Sequence, residues 1–349
     1  MTDDGDIVYF GCYTQAGGGR GAGIAAARRD PASGALTPLG TVADTPSPSF
    51  LARHPELPVL YAVNEVTEGT VGAWAVGPDG KLSPLGERST GGDSPCHVAV
   101  TPDGGHLLVT NYGSGSVAVF PLDLAGVPGD RSDLVTHDGH GVDPDRQAGP
   151  HAHQVSPDPA QGPVLAVDLG TDRVYRYDLD PVAGRLRPSG QPVRTPAGTG
   201  PRHLARHPDG QRWYLVGELS ATVLVYHLDG AGGARELGRV PASSRSGHVQ
   251  PSEVAVGRDG RFLYVANRGV GTIAVFALDG ELPRQVAEVP TGGHWPRHFA
   301  IIGNHLYVTE ERADLVTRFA IDPETGVPVP AGAPLELPSP TCVLPTADR

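Results

Sequence analysis

Lysine is almost missing from this chain of 349 residues: of its 27 basic side chains only Lys81 is one. It follows the turn Pro78-Asp79-Gly80, where it is solvated, so Schiff-base chemistry and lysine-centred phosphate binding are excluded. Cysteine is scarce too. Cys12, Cys96 and Cys342 are an odd number with no metal-ligand spacing, which excludes a disulfide framework and predicts a reducing, cytoplasmic location. No apolar run reaches membrane-spanning length, and the start Met1-Thr2-Asp3-Asp4 lacks a cationic region followed by an apolar stretch. Positive charge is in deficit. A formal net charge of -12 excludes a nucleic-acid footprint and an anionic membrane surface, because the averaged field repels both. Several catalytic signatures are missing as well: no Gly-x-Ser-x-Gly elbow, no phosphate-cradling Gly-Lys-Ser/Thr loop, no His-Glu-x-x-His helix and no Cys-x-x-Cys. Gly17-Gly18-Gly19 opens no helix, so it makes no nucleotide fingerprint. Attack by an activated water fits better than a serine nucleophile.

What the chain has in excess is punctuation. Its 48 glycines and 35 prolines fall at regular intervals between short apolar runs, the mark of a turn-rich all-β chain. A proline, two or three polar residues and an apolar run recur seven times: Pro48-Ser49-Phe50, Pro95-Cys96-His97, Pro150-His151-Ala152-His153, Pro201-Arg202-His203, Pro251-Ser252-Glu253, Pro296-Arg297-His298 and Pro340-Thr341-Cys342. By subtraction, successive prolines lie from 44 residues (296 to 340) to 55 residues (95 to 150) apart. That spacing suits propeller blades.

Within each unit the order repeats: anchor, apolar run, turn, apolar run, small polar turn, apolar run, then a more polar strand. Val254-Ala255-Val256, the turn Arg258-Asp259-Gly260, Phe262-Leu263-Tyr264-Val265, Asn267-Arg268-Gly269 and Thr272 to Phe276 show it most clearly. The runs are β-branched or aromatic and too short for helices, so four hairpin-joined strands per unit are predicted. The first unit lacks its first strand: Ile7 to Tyr13, Gly23 to Arg28 and Leu36 to Val42 read as strands two to four. Cys342-Val343-Leu344 supplies the missing one. The prediction is an all-β, seven-bladed β-propeller of four antiparallel strands per blade, one domain over residues 1–349, its ring closed by the N- and C-terminal strands sharing one blade. The longest interval carries an insertion between Phe120 and Pro150, a polar loop placed on the surface.

An antiparallel second strand ends at the same rim as the anchor of the first. The second-strand ends hold Asn64-Glu65, Asn111-Tyr112, Asp168, Glu218, Asn267-Arg268 and Glu310-Glu311-Arg312, so with the anchors they crowd one mouth of the channel. Arg202, Arg268 and Arg297 offer planar bidentate donors for a carboxylate or phosphate. Their plainer reading is ion pairing with Glu218, Glu253 or Glu310. His151 and His153, two apart, share one face of a strand and could bind a metal, but no third ligand has a diagnostic spacing.

The chain resembles the seven-bladed propeller lactonase family, which includes bacterial 6-phosphogluconolactonases and fungal carboxy-muconate lactonizing enzymes. The resemblance covers nearly the whole chain: Tyr9 to Thr14, Pro48 to Leu51, Leu60 to Glu65, Asn111 to Val117, Gly200-Pro201-Arg202-His203, Gly217-Glu218-Leu219-Ser220 and Ala266-Asn267-Arg268-Gly269. Its most specific part runs from His137 to His153, with Gly139, Gly141, Pro144 and Arg146-Gln147. Cys12 and Gly217 depart from it, standing where threonine and asparagine are usual. The resemblance implies a catalytic group of one histidine, two arginines and a glutamate: His153 or His151, with Arg202, Glu218 and Arg268. His151, His203, Glu253, Arg297, His298, Arg146 and Gln147 are expected to bind or position substrate. The implied activity is hydrolysis of a small anionic sugar lactone, 6-phosphogluconolactone in the pentose phosphate route, without cofactor or metal, by a monomer or weak homo-oligomer. A muconate-type cycloisomerase and a non-catalytic binding propeller are the alternatives.

Overall fold

The computed structural model describes residues 6–160, 162–228 and 233–346. Each anchor opens or adjoins the first strand of a sheet. In Pro48–Arg53, Pro95–Val100, Pro201–Arg206, Pro296–Ile302 and Pro340–Pro345 the anchor proline is itself the first strand residue. Seven antiparallel sheets result, each built from consecutive strands except the one that joins the chain ends. That sheet takes Leu36–Ala43, Ile24–Arg29, Asp6–Cys12 and Pro340–Pro345 in order, as the incomplete first repeat requires. Thr346 then donates from both its N–H and its hydroxyl to Ile7 O, at 3.1 and 2.9 Å. Among the described residues the helical content is one 3-10 turn, Gln15–Gly17. No helix there is long and apolar enough to cross a membrane.

Strand character follows position in the sheet. Second strands such as Val59–Asn64 and His106–Asn111 are buried throughout, so they read as unbroken apolar runs. Fourth strands such as Leu82–Ser89 alternate between half-buried and exposed, hence their polar sequences. Two sheets break the fourth strand in two: Arg185–Pro188 with Val193–Arg194, and Pro328–Pro330 with Leu335–Glu336.

The backbone forms two compact units. One comprises Met1–Val8, Ala27–Pro38 and Pro201–Arg349, the other Tyr9–Ala26 and Leu39–Gly200. In the first, Tyr214, Val216, Val254, Val265 and Phe276 pack two successive sheets, and Tyr264, Ile273, Phe299, Val308 and Phe319 pack the next pair. In the second, Tyr61, Val71, Val98, Val109 and Phe120 do the same, followed by Leu108, Val119, Val155 and Tyr177. A recurrent bond supplements this packing. A second-strand tyrosine donates its buried hydroxyl to a glycine carbonyl in a distant turn: Tyr264 to Gly326 at 3.0 Å and Tyr307 to Gly34 at 2.7 Å in the first unit. Tyr9 to Gly80 at 2.9 Å and Tyr61 to Gly126 at 2.7 Å repeat it in the second. Each contributes about 1 kcal/mol net, and more is lost if the carbonyl is left unpaired.

One feature of the pairing shapes the site. Just after the anchor proline the register slips: Pro201 faces Gly217 but Leu204 faces Leu215, and Pro251 faces Asn267 but Val254 faces Val265. Pro296 faces Glu310 and His298 faces Thr309, and the slip recurs at Pro48, Pro95 and Ala152. The polar anchor residues therefore occupy β-bulges, which re-aim side chains out of the regular alternation.

The insertion is not wholly superficial. His140 and Asp145 are exposed, but His137 and Gln147 are buried, at 4% and 1% exposure. Buried acceptors draw them in: His137 Nδ1 lies 2.6 Å from Asp168 Oδ2, and Gln147 Nε2 donates to Leu169 O and Asp172 Oδ1, both at 2.8 Å.

Candidate functional site

The first compact unit gathers a buried cluster of charge. Arg202, Glu218 and Arg268 are each 5% exposed or less. Glu218 Oε2 lies 2.6 Å from Arg268 Nη2 and 3.2 Å from Arg202 Nε, so one carboxylate neutralises one of two guanidiniums. Gln250 Nε2 donates to the other oxygen, Oε1, at 2.7 Å. Backbone carbonyls fix the arginines: Arg268 donates to Gln250 O and Pro251 O, both at 3.2 Å, and Arg202 donates to Ser252 O. Burial, then the proximity of Arg268, lowers Arg202 to about 10, Glu218 being the larger of two carboxylate influences in the other direction.

Beside this lies a second group around Glu253. Its Oε2 receives His203 Nδ1 at 2.8 Å and faces His298 Nε2 at 3.4 Å. Val343 N–H donates to His298 Nδ1 at 3.3 Å, which leaves the proton of the neutral ring on Nε2, toward Glu253. Burial is the first cause of every shift here. It takes His298 down to about 4, drives His203 well below the usual range with Arg202 adding to the effect, and raises Glu253. Both imidazoles are neutral at pH 7. Arg297 is half-buried and donates to Glu311 Oε2 at 3.2 Å.

The second unit holds the remaining candidates. His151 Nδ1 donates to Tyr112 O at 2.9 Å and stacks on the Tyr112 ring, centroids 4.4 Å apart at 15°. His153, 7% exposed, meets the same ring edge-on at 5.7 Å and 80°. The two histidines converge on Tyr112, but not through simple strand alternation: His151 precedes the strand Ala152–Ser156 and His153 falls in its bulge. Gln147 braces the insertion, its oxygen taking the N–H groups of Val142 and Asp143 at 3.1 and 3.2 Å while its amide is spent on Leu169 and Asp172. Arg146 is half-buried, its backbone N–H bonded to Asp143. Among the described residues no three His, Cys, Asp or Glu side chains gather as a metal site.

The second-strand ends divide by position. The residue facing the anchor proline braces its surroundings: Asn64 holds Thr45 and Thr70, Asn111 holds Ser116, Asn267 holds Ala242 O, and Glu310 takes the Trp295 backbone N–H. Asp168 does likewise for His137, His151 and Thr171. The next residue meets an anchor or a site group: Tyr112 with His151, Glu218 with Arg202 and Arg268, Arg268 with Glu218, Glu311 with Arg297. Of the expected carboxylates, Glu218 pairs with Arg202 and Arg268. Glu253 serves two histidines, and Glu310 a backbone amide.

Two participants escape a reading that starts at the anchor proline. Gln250 and Trp295 occupy the position just before it, where the other five repeats have Ser47, Ser94, Gly149, Gly200 and Ser339. Ser47, Ser94, Gly200 and Ser339 take positive φ there, from 44 to 55°. At Gln250 the hairpin instead runs on, with Gln250 opposite Arg268 and Val249 opposite Gly269.

A family model described as "Lactonase, 7-bladed beta-propeller" matches residues 7–345, and the chain belongs to that family. Its seven sheets are the blades of that propeller. Over 347 residues, 97% of each chain, it is 35% identical to a 6-phosphogluconolactonase of Bacillus subtilis. A 6-phosphogluconolactonase of Formosa agariphila is 29% identical over 308 residues, 84% of this chain and 87% of that one. The solved structure of a periplasmic gluconolactonase from Pseudomonas aeruginosa matches with a TM-score of 0.92 and 32% identity over 99% of both chains.

Proposed function

We propose that this chain is a lactonase hydrolysing 6-phosphogluconolactone to the open-chain acid, and that residues 1–349 act as a single domain. The observation that carries the chemistry is the buried carboxylate of Glu218 clamped between Arg202 and Arg268 in a lactonase-family propeller. The similarity to named 6-phosphogluconolactonases supports the substrate. Water attacks the ring carbonyl, the bond from that carbon to the ring oxygen breaks, and the ring oxygen leaves as a hydroxyl. Glu218 takes the proton from the attacking water and returns it to the departing ring oxygen. Arg202 and Arg268 stabilise the oxyanion, since donors fixed in advance by carbonyls and a shared carboxylate need no reorganisation as charge develops. His153 is the second acid–base candidate, on the resemblance alone. Three buried cysteine thiols, Cys12, Cys96 and Cys342, support a reducing compartment.

The test is acid release from fresh 6-phosphogluconolactone, beside gluconolactone and a muconate, with spontaneous hydrolysis subtracted. Acceleration of the phosphorylated lactone is expected, and no acceleration of any of the three would leave a binding propeller. His153→Asn should lower kcat by about 10²-fold or more if the histidine moves a proton. An unchanged kcat across the pH range removes it from the mechanism.

A further inference from the structure

The buried cluster does not account for a phosphate. Arg202 and Arg268 share Glu218, and Arg297 is matched by Glu311, whereas a phosphomonoester brings about 1.5 to 2 negative charges at pH 7. The adjoining turn supplies another cation. Arg312 is exposed, follows the strand His305–Glu310, and has no carboxylate within ion-pair distance among the described residues. Its guanidinium carbon sits 3.4 Å from the ring centroid of half-buried Trp295. Arg268 approaches the same ring at 5.5 Å, and the His248 imidazole lies nearly parallel to it at 6.3 Å and 10°.

We propose that Arg312, held on Trp295, forms the subsite for the phosphate of the substrate, with Arg268 on the same indole left to the carbonyl end; this rests on the lactonase reading above. Three features make it a built site. Trp295 is anchored through its backbone, the main-chain N–H donating to buried Glu310 Oε2 at 3.0 Å. The loop beside it is tight. Gly269 and Gly271, at φ +86 and +64°, lie so close to His248 O and Gly293 O that a Cβ would stand 2.1 and 2.4 Å from those oxygens. The subsite also connects to the reacting group: His248 Nε2 lies 3.3 Å from Gln250 Oε1, and Gln250 Nε2 holds Glu218. Cation–π stacking restrains the Arg312 fork, so less freedom is lost when it grips an anion. The two guanidiniums lie 5.5 and 3.4 Å from one ring centroid, which sets Arg268 at the carbonyl end of a bound lactone and Arg312 at its phosphate end.

The experiment compares the full-length parent, Arg312→Ala and Arg312→Lys, with urea midpoints as the folding control. Steady-state rates are measured on 6-phosphogluconolactone and gluconolactone, and binding of 6-phosphogluconate and gluconate by calorimetry. In Arg312→Ala the preference for the phosphorylated lactone should fall about tenfold, mainly through KM, with a similar loss of 6-phosphogluconate affinity and partial recovery in Arg312→Lys. The same preference and the same 6-phosphogluconate affinity as the parent would overturn the subsite. A parent that accelerates neither lactone overturns the enzymatic reading instead, and the 6-phosphogluconate titration still decides the subsite.

Discussion

Replacing Glu218 by glutamine removes one negative charge and almost no volume from a place where two guanidiniums are 3% and 5% exposed. The hydrogen bonds can be partly repaired. A glutamine oxygen can still accept from Arg268, and its new amide would meet the Gln250 amide unless Gln250 turns over, trading its contact with the exposed His248. The charge cannot be repaired. Arg202 is already lowered to about 10 by burial and by Arg268, and Glu218 is the larger of the two carboxylates opposing that shift. Removing one member of a buried ion pair costs about 3 to 5 kcal/mol, a large share of a typical stability of about 5 to 15 kcal/mol.

The urea midpoint of Glu218→Gln should therefore fall by about 1 to 2 M. In the assay of acid release its kcat should drop by about 10²- to 10⁴-fold, the range for losing a positioned acid or base. Adding Arg202→Met takes out one of the stranded cations, so the double variant should be less unstable than the two single losses combined. Glu218→Gln with the parent's midpoint and turnover would refute both the electrostatic argument and the assigned role.

His298 should contribute to an acid limb of stability beside His203, whose shift has the same direction. The folded pKa of His298, about 4, lies below the usual 6.5, so the unfolded chain binds the extra proton; stability is complete above about pH 6.5 and falls on acidification toward pH 4. Urea midpoints at pH 7, 5.5 and 4.5 should show this loss in the parent and a flatter profile in His298→Gln, with raised Glu253 opposing the trend in both; identical profiles count against a buried neutral ring. Tyr264→Phe strips the donor from Gly326 O and should cost about 1 to 3 kcal/mol in a denaturant titration while kcat stays at the parent value. A fall in kcat there would mean that the tyrosine bond does more than hold sheets.

The sheets were legible because their signals are local. Alternation, turn glycines and the anchor proline lie within a few residues of each other, and even the strand joining the chain ends followed from a repeat that lacked its first run. The candidate site was legible only as a set of residue types. Arg202, Glu218 and Arg268 were named, but among three candidate carboxylates only the fold picks out Glu218 as the one shared by both arginines. Gln147, expected at the substrate, also braces the insertion, a role no local pattern announces. Gln250 and Trp295 were visible as departures from Ser or Gly, at a position that carries no pattern until the bulge beside it is known.

The sequence alone determined that this chain is seven similar β units with polar residues at the anchors and second-strand ends, since each unit's strands are specified by contacts close in the chain. Tertiary structure decided which of those polar residues brace and which meet in a site. Register slips after six of the anchors and pairing over some 50 residues, as between Glu218 and Arg268, set those directions. Neither is encoded in any short stretch, because a bulge and an ion pair are properties of two segments held together.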